Sequence, residues 1–206
     1  PECITGLGSF ARVPSLLAER GVRKPLIVAS RRQSQTPAFQ EMLGHLAGWS
    51  LYTGVTANPR VETVEAIAAQ YRRSGCDGFV AVGGGSPMDS AKAIALLAVS
   101  DIERKNLFDG NIGNKALPMI HIPTTAGTGS EVTPYAILTR IVMPKIELTT
   151  AAASETSTEA KAGELVKQSI SHHIFPELAL VDSTYLQTAS KTGLRPRAGE
   201  RLLRTE

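Results

Sequence analysis

The chain has 206 residues, 42% of them hydrophobic and 20% charged, the balance of a globular protein with one substantial core. Its net charge of +3 is too small to argue for nucleic-acid binding, and no apolar run reaches membrane-spanning length. Cys3 and Cys76 make neither a disulfide framework nor a metal-ligand spacing, which fits a reducing, cytoplasmic setting.

Strand and helix signals alternate along the chain. Cys3–Thr5 reads as a short strand, followed by a helix capped by Ser9 that runs to Arg20 and stops at Gly21. "PLIVA", Pro25–Ala29, is a strand of the buried type, Thr36–Ala47 is helical, and Trp49–Tyr52 is extended. After Asn58-Pro59, the apolar residues Val61, Val64, Ile67 and Ala68 recur at helical spacing until Gly75. Phe79–Val82 is the next buried strand, Asp89–Val99 a helix, and Met119–Ile122 another strand. This order predicts an α/β fold, a Rossmann-like parallel sheet with helices on both faces. Beyond Val132 the pattern changes: "YAILT" and "KIELTT" predict a β-hairpin, "AAASETSTEAKAGE" an exposed loop, and "ELALVD" a last strand. Residues 1–187 thus form the predicted domain, with 140–164 a hairpin and loop insertion, and 188–206 a basic tail carrying Arg195, Arg197, Arg201 and Arg204.

The junction "FVAVGGGSPMDSAKAIALLA" carries the clearest chemistry. Gly83-Gly84-Gly85 lets backbone approach a ligand with no Cβ in the way. Ser86 is a good N-cap, Pro87 falls at the first helical position, and Asp89 stands at the capping-box position. A helix start specified in this way presents free N–H groups to an anion, most naturally a pyrophosphate.

Two further segments bear on the same ligand. In "IPTTAGTGSEVTPYAILT", Thr124, Thr125, Thr128 and Ser130 offer hydroxyls to phosphate or ribose oxygens; the plainer alternative is a turn bonded to itself. "GLGSFA", Gly6–Ala11, matches G-x-G-x-x-A and competes for the phosphate. That fingerprint asks for an acid at the end of the second strand, where this chain has Ser30-Arg31-Arg32.

Together "GGGSPMDSAKAIA" and "IPTTAGTGSEVTPYAILT" resemble the paired signatures of the iron-containing (group III) alcohol dehydrogenases, a superfamily with glycerol dehydrogenase and dehydroquinate synthase relatives. "GLGSF", "LIVAS", "TANPRVETVEA" and "FPELALVD" fall in the family's order, so the resemblance covers roughly Cys3–Asp182. It implies an N-terminal dinucleotide-binding domain, a C-terminal helical domain, and a metal and substrate in the cleft between them. It places Gly84, Gly85, Ser86, Pro87 and Asp89 around the pyrophosphate of NAD or NADP. Thr124, Thr125 and Thr128 would line the adenine and ribose side, with Asn58 nearby and Lys167 at the nicotinamide ribose. Where NAD-preferring relatives commonly have an aspartate, this chain has Ser30, followed by Arg31 and Arg32, which leaves NAD against NADP open.

The family's metal ligands, one Asp and three His for Fe2+ or Zn2+, belong to a "GMDALTHAIE"-like helix and its sequel, which this sequence lacks. His172-His173, His45 and His121 read as loop or structural histidines, so no metal ligand is assigned, and the expectation is a chain truncated before the metal site. The function implied is NAD(P)-dependent interconversion of alcohols with aldehydes or ketones, acting on a small molecule, with a homo-oligomer allowed. The alternatives are a non-catalytic dinucleotide-binding module and a dehydroquinate-synthase-like or glycerol-dehydrogenase-like member.

Overall fold

The computed structural model describes residues 1–99, 107–108, 117–142, 163–171 and 174–186. In chain order the elements are β1 (Glu2–Thr5), a 3-10 turn (Ser9–Arg12) leading into α1 (Val13–Glu19), β2 (Pro25–Ala29), α2 (Arg31–Ser34), α3 (Pro37–Gly44) and β3 (Ser50–Tyr52). There follow α4 (Val61–Ser74), β4 (Gly78–Gly83), α5 (Gly85–Val99), β5 (Met119–Pro123), β6 (Tyr135–Val142), β7 (Glu164–Ser171), β8 (Leu178–Val181) and α6 (Ser183–Leu186). Six strands make one sheet in the order β1-β8-β5-β4-β2-β3, every pair parallel, while β6 and β7 form a separate antiparallel ribbon.

Strand periodicity sorts the apolar runs onto two faces. Leu26, Val28, Phe79, Ala81 and Met119 pack with α4 and α5 on one side. Ile27, Ala29, Val80, Val82, Ile120, Ile122, Leu178 and Leu180 pack with α1 and α3 on the other. Burial on both faces is why these strands read as continuous apolar runs. The ribbon lies on the α5 side, where Ala136, Leu138 and Ile170 join the core.

Three expectations change, and one element is added. Ser9 does not cap a continuous helix: the chain makes a 3-10 turn there and restarts as α1, with Pro14 in the first turn. The helix predicted from Asp89 already begins at Gly85. A short helix, α2, follows β2, with the Ser30 hydroxyl accepting from the Gln33 N–H as its cap. The hairpin exists, but the partner of β6 is Glu164–Ser171, with Tyr135 opposite Ser171 and Val142 opposite Glu164. "KIELTT", His172-His173 and the basic tail lie outside the described residues.

Phe79 is fully buried and stacks on Tyr71, the ring centroids 4.6 Å apart. It joins the centre of the sheet to α4. Phe79→Ala should lower stability by about 3–5 kcal/mol, read as a drop in the urea midpoint at unchanged m-value.

Candidate functional site

The sheet reverses direction at β2. The chain leaves β2 for β3 on one side and returns to β4 on the other. Loops that diverge from such a point open a crevice at the carboxyl ends of the strands. The register brings those ends level: Ala29 lies opposite Val82, and Gly83 opposite Pro123. The segments gathered there are Ser30–Arg32, Gly83–Asp89 and Thr124–Ser130.

Gly83 has φ +149, and a Cβ on it would stand 2.8 Å from Pro87 Cγ. Its carbonyl accepts the Thr124 N–H at 2.8 Å, which joins the glycine turn to the hydroxyl loop. Gly84 and Gly85 are closely faced by threonines: added Cβ atoms would meet Thr125 Oγ1 at 3.1 Å and Thr128 Cγ2 at 3.2 Å, so these side chains would have to give way. The helix entered here is 15 residues long, so its first turn presents unpaired N–H groups and the positive end of a full macrodipole. A cradle that a Cβ would fill, backed by these amides and flanked by threonines, fits a pyrophosphate.

The cap differs from the expected one. Because α5 starts at Gly85, Ser86 and Pro87 lie inside its first turn. Asp89 does not reach back to the helix start. Its Oδ1 accepts from the Ser130 hydroxyl at 2.5 Å and its Oδ2 from the Ile137 N–H at 3.1 Å. Burial raises the Asp89 carboxyl above its usual range, against the lowering effect of these two bonds and of Lys92.

Lys92, which the sequence reading passed over, is fully buried. Its ammonium donates to Ser130 Oγ at 3.1 Å and to the Tyr135 carbonyl at 2.9 Å. Burial lowers its pKa to about 8, opposed by Asp89 and Glu131. The available signal was a charged pair three apart in an otherwise apolar helix, "MDSAKAIALLA". His121 is also buried, and burial, reinforced by Lys92, lowers its pKa to about 3, so the ring is neutral.

The remaining predicted residues lie on several elements. Arg31 and Arg32 are exposed in α2 just beyond β2. Asn58 is exposed, with φ 58, in the loop before α4. That loop meets β6, since the Pro59 carbonyl accepts the Thr139 N–H at 2.8 Å. Lys167 is exposed on β7, opposite Thr139. Thr124 is buried, while Thr128 is exposed at the crevice. Among the described residues no three of His, Cys, Asp and Glu converge as metal ligands. The donor set described here therefore does not fit the Fe2+ or Zn2+ expected of the resemblance.

The competing loop at Gly6–Ala11 is already filled. Asp182 Oδ1 accepts the Gly8 N–H at 3.1 Å and Oδ2 the Phe10 N–H at 2.9 Å. Thr184 adds its N–H at 3.0 Å and its hydroxyl. A protein carboxylate occupies the place a phosphate would take. A cavity of about 170 Å³ lies beside this loop, lined by Phe10, Met42, His45 and Tyr185 among others, and it shares no residue with the glycine turn of β4.

A family model described as "Iron-containing alcohol dehydrogenase" matches residues 1–183. The chain is 38% identical to 4-hydroxybutyrate dehydrogenase of Cupriavidus necator over 138 residues, 64% of this chain and 36% of that protein. It is 31% identical to NAD-dependent methanol dehydrogenase of Bacillus methanolicus over 157 residues, 71% of this chain and 41% of that protein. Among solved structures it resembles sulfoacetaldehyde reductase from Bifidobacterium kashiwanohense in complex with NAD+, with TM-score 0.69 and 27% identity, covering 91% of this chain and 46% of that one. The chain spans less than half the length of each of these three relatives. The parallel sheet with its glycine turn at the switch point defines a Rossmann-like α/β class. Within that class the chain belongs to the iron-containing alcohol dehydrogenase family.

Asp182 offers a check on the filled loop. Burial raises its carboxyl pKa, but the donors from Thr184, Phe10 and Gly8 outweigh this and hold it below the ordinary 3.8. Its stabilisation is complete above that ordinary value and is lost as pH falls through the lower folded-state value. Asp182→Asn should cost roughly 3 kcal/mol at pH 7. The gap from wild type should narrow below about pH 4, as measured by urea unfolding at both pH values.

Proposed function

We propose that this chain binds an adenine dinucleotide across the carboxyl ends of β2, β4 and β5, and that it serves an oxidoreductase interconverting alcohols with aldehydes or ketones. The observation that carries the reading is the Cβ-free turn at Gly83–Gly85, which opens a long helix at the switch point of the sheet and faces a threonine-rich loop. Two relatives support the ligand: one is NAD-dependent by name, and another was solved with NAD+. Residues 1–187 are the proposed dinucleotide-binding unit.

In this reading Gly84, Gly85 and Ser86 hold the pyrophosphate through backbone amides, with Pro87 packed against Gly83 to shape the turn. Thr124, Thr125 and Thr128 line the adenosine side. Asn58 closes that side from the loop before α4, and Lys167 approaches the nicotinamide end from β7. The bound nicotinamide would accept or deliver the hydride. The chain's own contribution is to bind, orient and screen it from water. No step through a metal is assigned to the residues described.

Specificity at the 2′ position falls to the turn after β2. Ser30, whose hydroxyl caps α2, is uncharged and brings no repulsion against a 2′-phosphate. Arg31 and Arg32 follow on the exposed first turn, where a guanidinium pairs with phosphate through charge-assisted bonds. Such a bond contributes on the order of 1.5–3 kcal/mol, a preference of about tenfold or more for NADP.

Calorimetric titration tests both parts. Gly85→Val puts a branched side chain into the phosphate space, and it should weaken NADH and NADPH binding by about tenfold or more while leaving the circular dichroism spectrum unchanged. Equal binding by this variant would displace the site. Arg31→Ala/Arg32→Ala should lose NADPH affinity selectively. A wild type that prefers NADH, with no selective loss in the double variant, would end the NADP assignment.

A further inference from the structure

The geometry points to Asp89 and Lys92 as positioning residues that set the gap between the glycine turn and the hydroxyl loop, and thereby the affinity for the dinucleotide. The inference rests on the dinucleotide reading of that gap.

The two side chains lie three residues apart on α5, one turn along the same stripe. Each reaches out of the helix to the segment 130–137. The Ser130 hydroxyl is the shared point, donating to Asp89 at 2.5 Å and accepting from Lys92 at 3.1 Å. Lys92 also holds the Tyr135 carbonyl at 2.9 Å, and Asp89 the Ile137 N–H at 3.1 Å. Four hydrogen bonds thus run from one helix to the end of the hydroxyl loop and the start of β6. Ser130 is itself 5% exposed with both roles of its oxygen taken, so it belongs to the tie and not to the ligand surface.

Apolar packing alone would not set this spacing. Ala136, Leu138 and Ile170 rest in the same cluster as the alanines and leucines of α5. Contacts of that kind are non-directional and tolerate sliding. A buried ammonium does not, because leaving its acceptors strands a charge away from water. The registration matters at the ligand end of the same helix, where the Cβ position of Gly85 lies 3.2 Å from Thr128 Cγ2. A small shift of the loop along α5 widens or closes that gap. The tie also sets β6 and with it the ribbon that carries Lys167.

The charges around Lys92 are mutually consistent with this role. Asp89 on α5 and Glu131 on the loop favour the ammonium, and the His121 ring on β5 is neutral beside it.

Lys92→Met keeps the length of the side chain and removes the charge; because Asp89 is left without its nearby cation, a loss of stability accompanies the change. The expected result is a folded protein whose NADH affinity, by calorimetry, falls about tenfold. In the absence of ligand, its amides over 128–137 should exchange hydrogen faster than in wild type. Ser130→Ala should weaken NADH binding similarly, and the double variant should be no weaker than the worse single one, since both act through one bridge. If Lys92→Met does not fold, Ser130→Ala carries the comparison. Folded variants with wild-type NADH affinity overturn the inference and leave the dinucleotide site standing. A wild type that binds no dinucleotide overturns the proposed function first and the role of the tie with it, whereas the exchange comparison reports the tie without any ligand.

Discussion

Close approach of two backbones at the carboxyl end of β4 is the constraint on which the site depends. Gly83 takes a conformation that side-chain-bearing residues rarely adopt, and its carbonyl is bonded to Thr124 of the neighbouring loop. That contact is possible because Gly83 and Pro123 end their strands at the same level. The helix that follows can then start at Gly85 and face the threonines directly. A larger residue at any of the three positions would push the loop, the helix or Pro87 aside, so the sheet register, the turn and the helix start form one arrangement.

The glycine turns after β1 and after β4 are treated in opposite ways. After β1, the amides of Gly8 and Phe10 bind the Asp182 carboxylate, and the turn is structurally closed. After β4, the nearest carboxylate, Asp89, is turned sideways to Ser130 and Ile137. A turn with the chemistry of an anion site becomes a structural joint or a ligand site according to where the chain sends its own acid. Glycine spacing alone does not distinguish the two cases.

Much of the sheet was legible because its strands are buried on both faces and need no partner to be recognised. "PLIVA" is β2 residue for residue, and Phe79–Val82 falls within β4. The helix at Val61–Ser74 announced itself by periodicity. What was not legible depends on partners far away in sequence. The second strand of the ribbon is chosen by pairing with β6, and "ELVKQSIS" has too weak an alternation to declare it. Ser9 looked like a cap because the restart at Val13 and the burial of the serine are tertiary facts. Of the site, the glycines and threonines were readable as a pattern. Lys92 was not, since a lysine on a helix is ordinarily solvated, and only the packing of α5 between the sheet and the ribbon makes it interior.

The edge of the sheet also bears on how the chain reaches its folded state. Among the described residues β1 pairs with β8 alone, and the turn that follows it is held by Asp182, 174 positions beyond Gly8. The central strands β2, β4 and β5 find neighbours as they are made, but β1 must wait for β8. During synthesis β1 therefore remains an unpaired edge until β8 has left the ribosome. Closing so long a loop is the slowest kind of contact a chain makes. The sheet is completed by the pairing of β1 with β8, and the Asp182 carboxylate locks the seam once they meet.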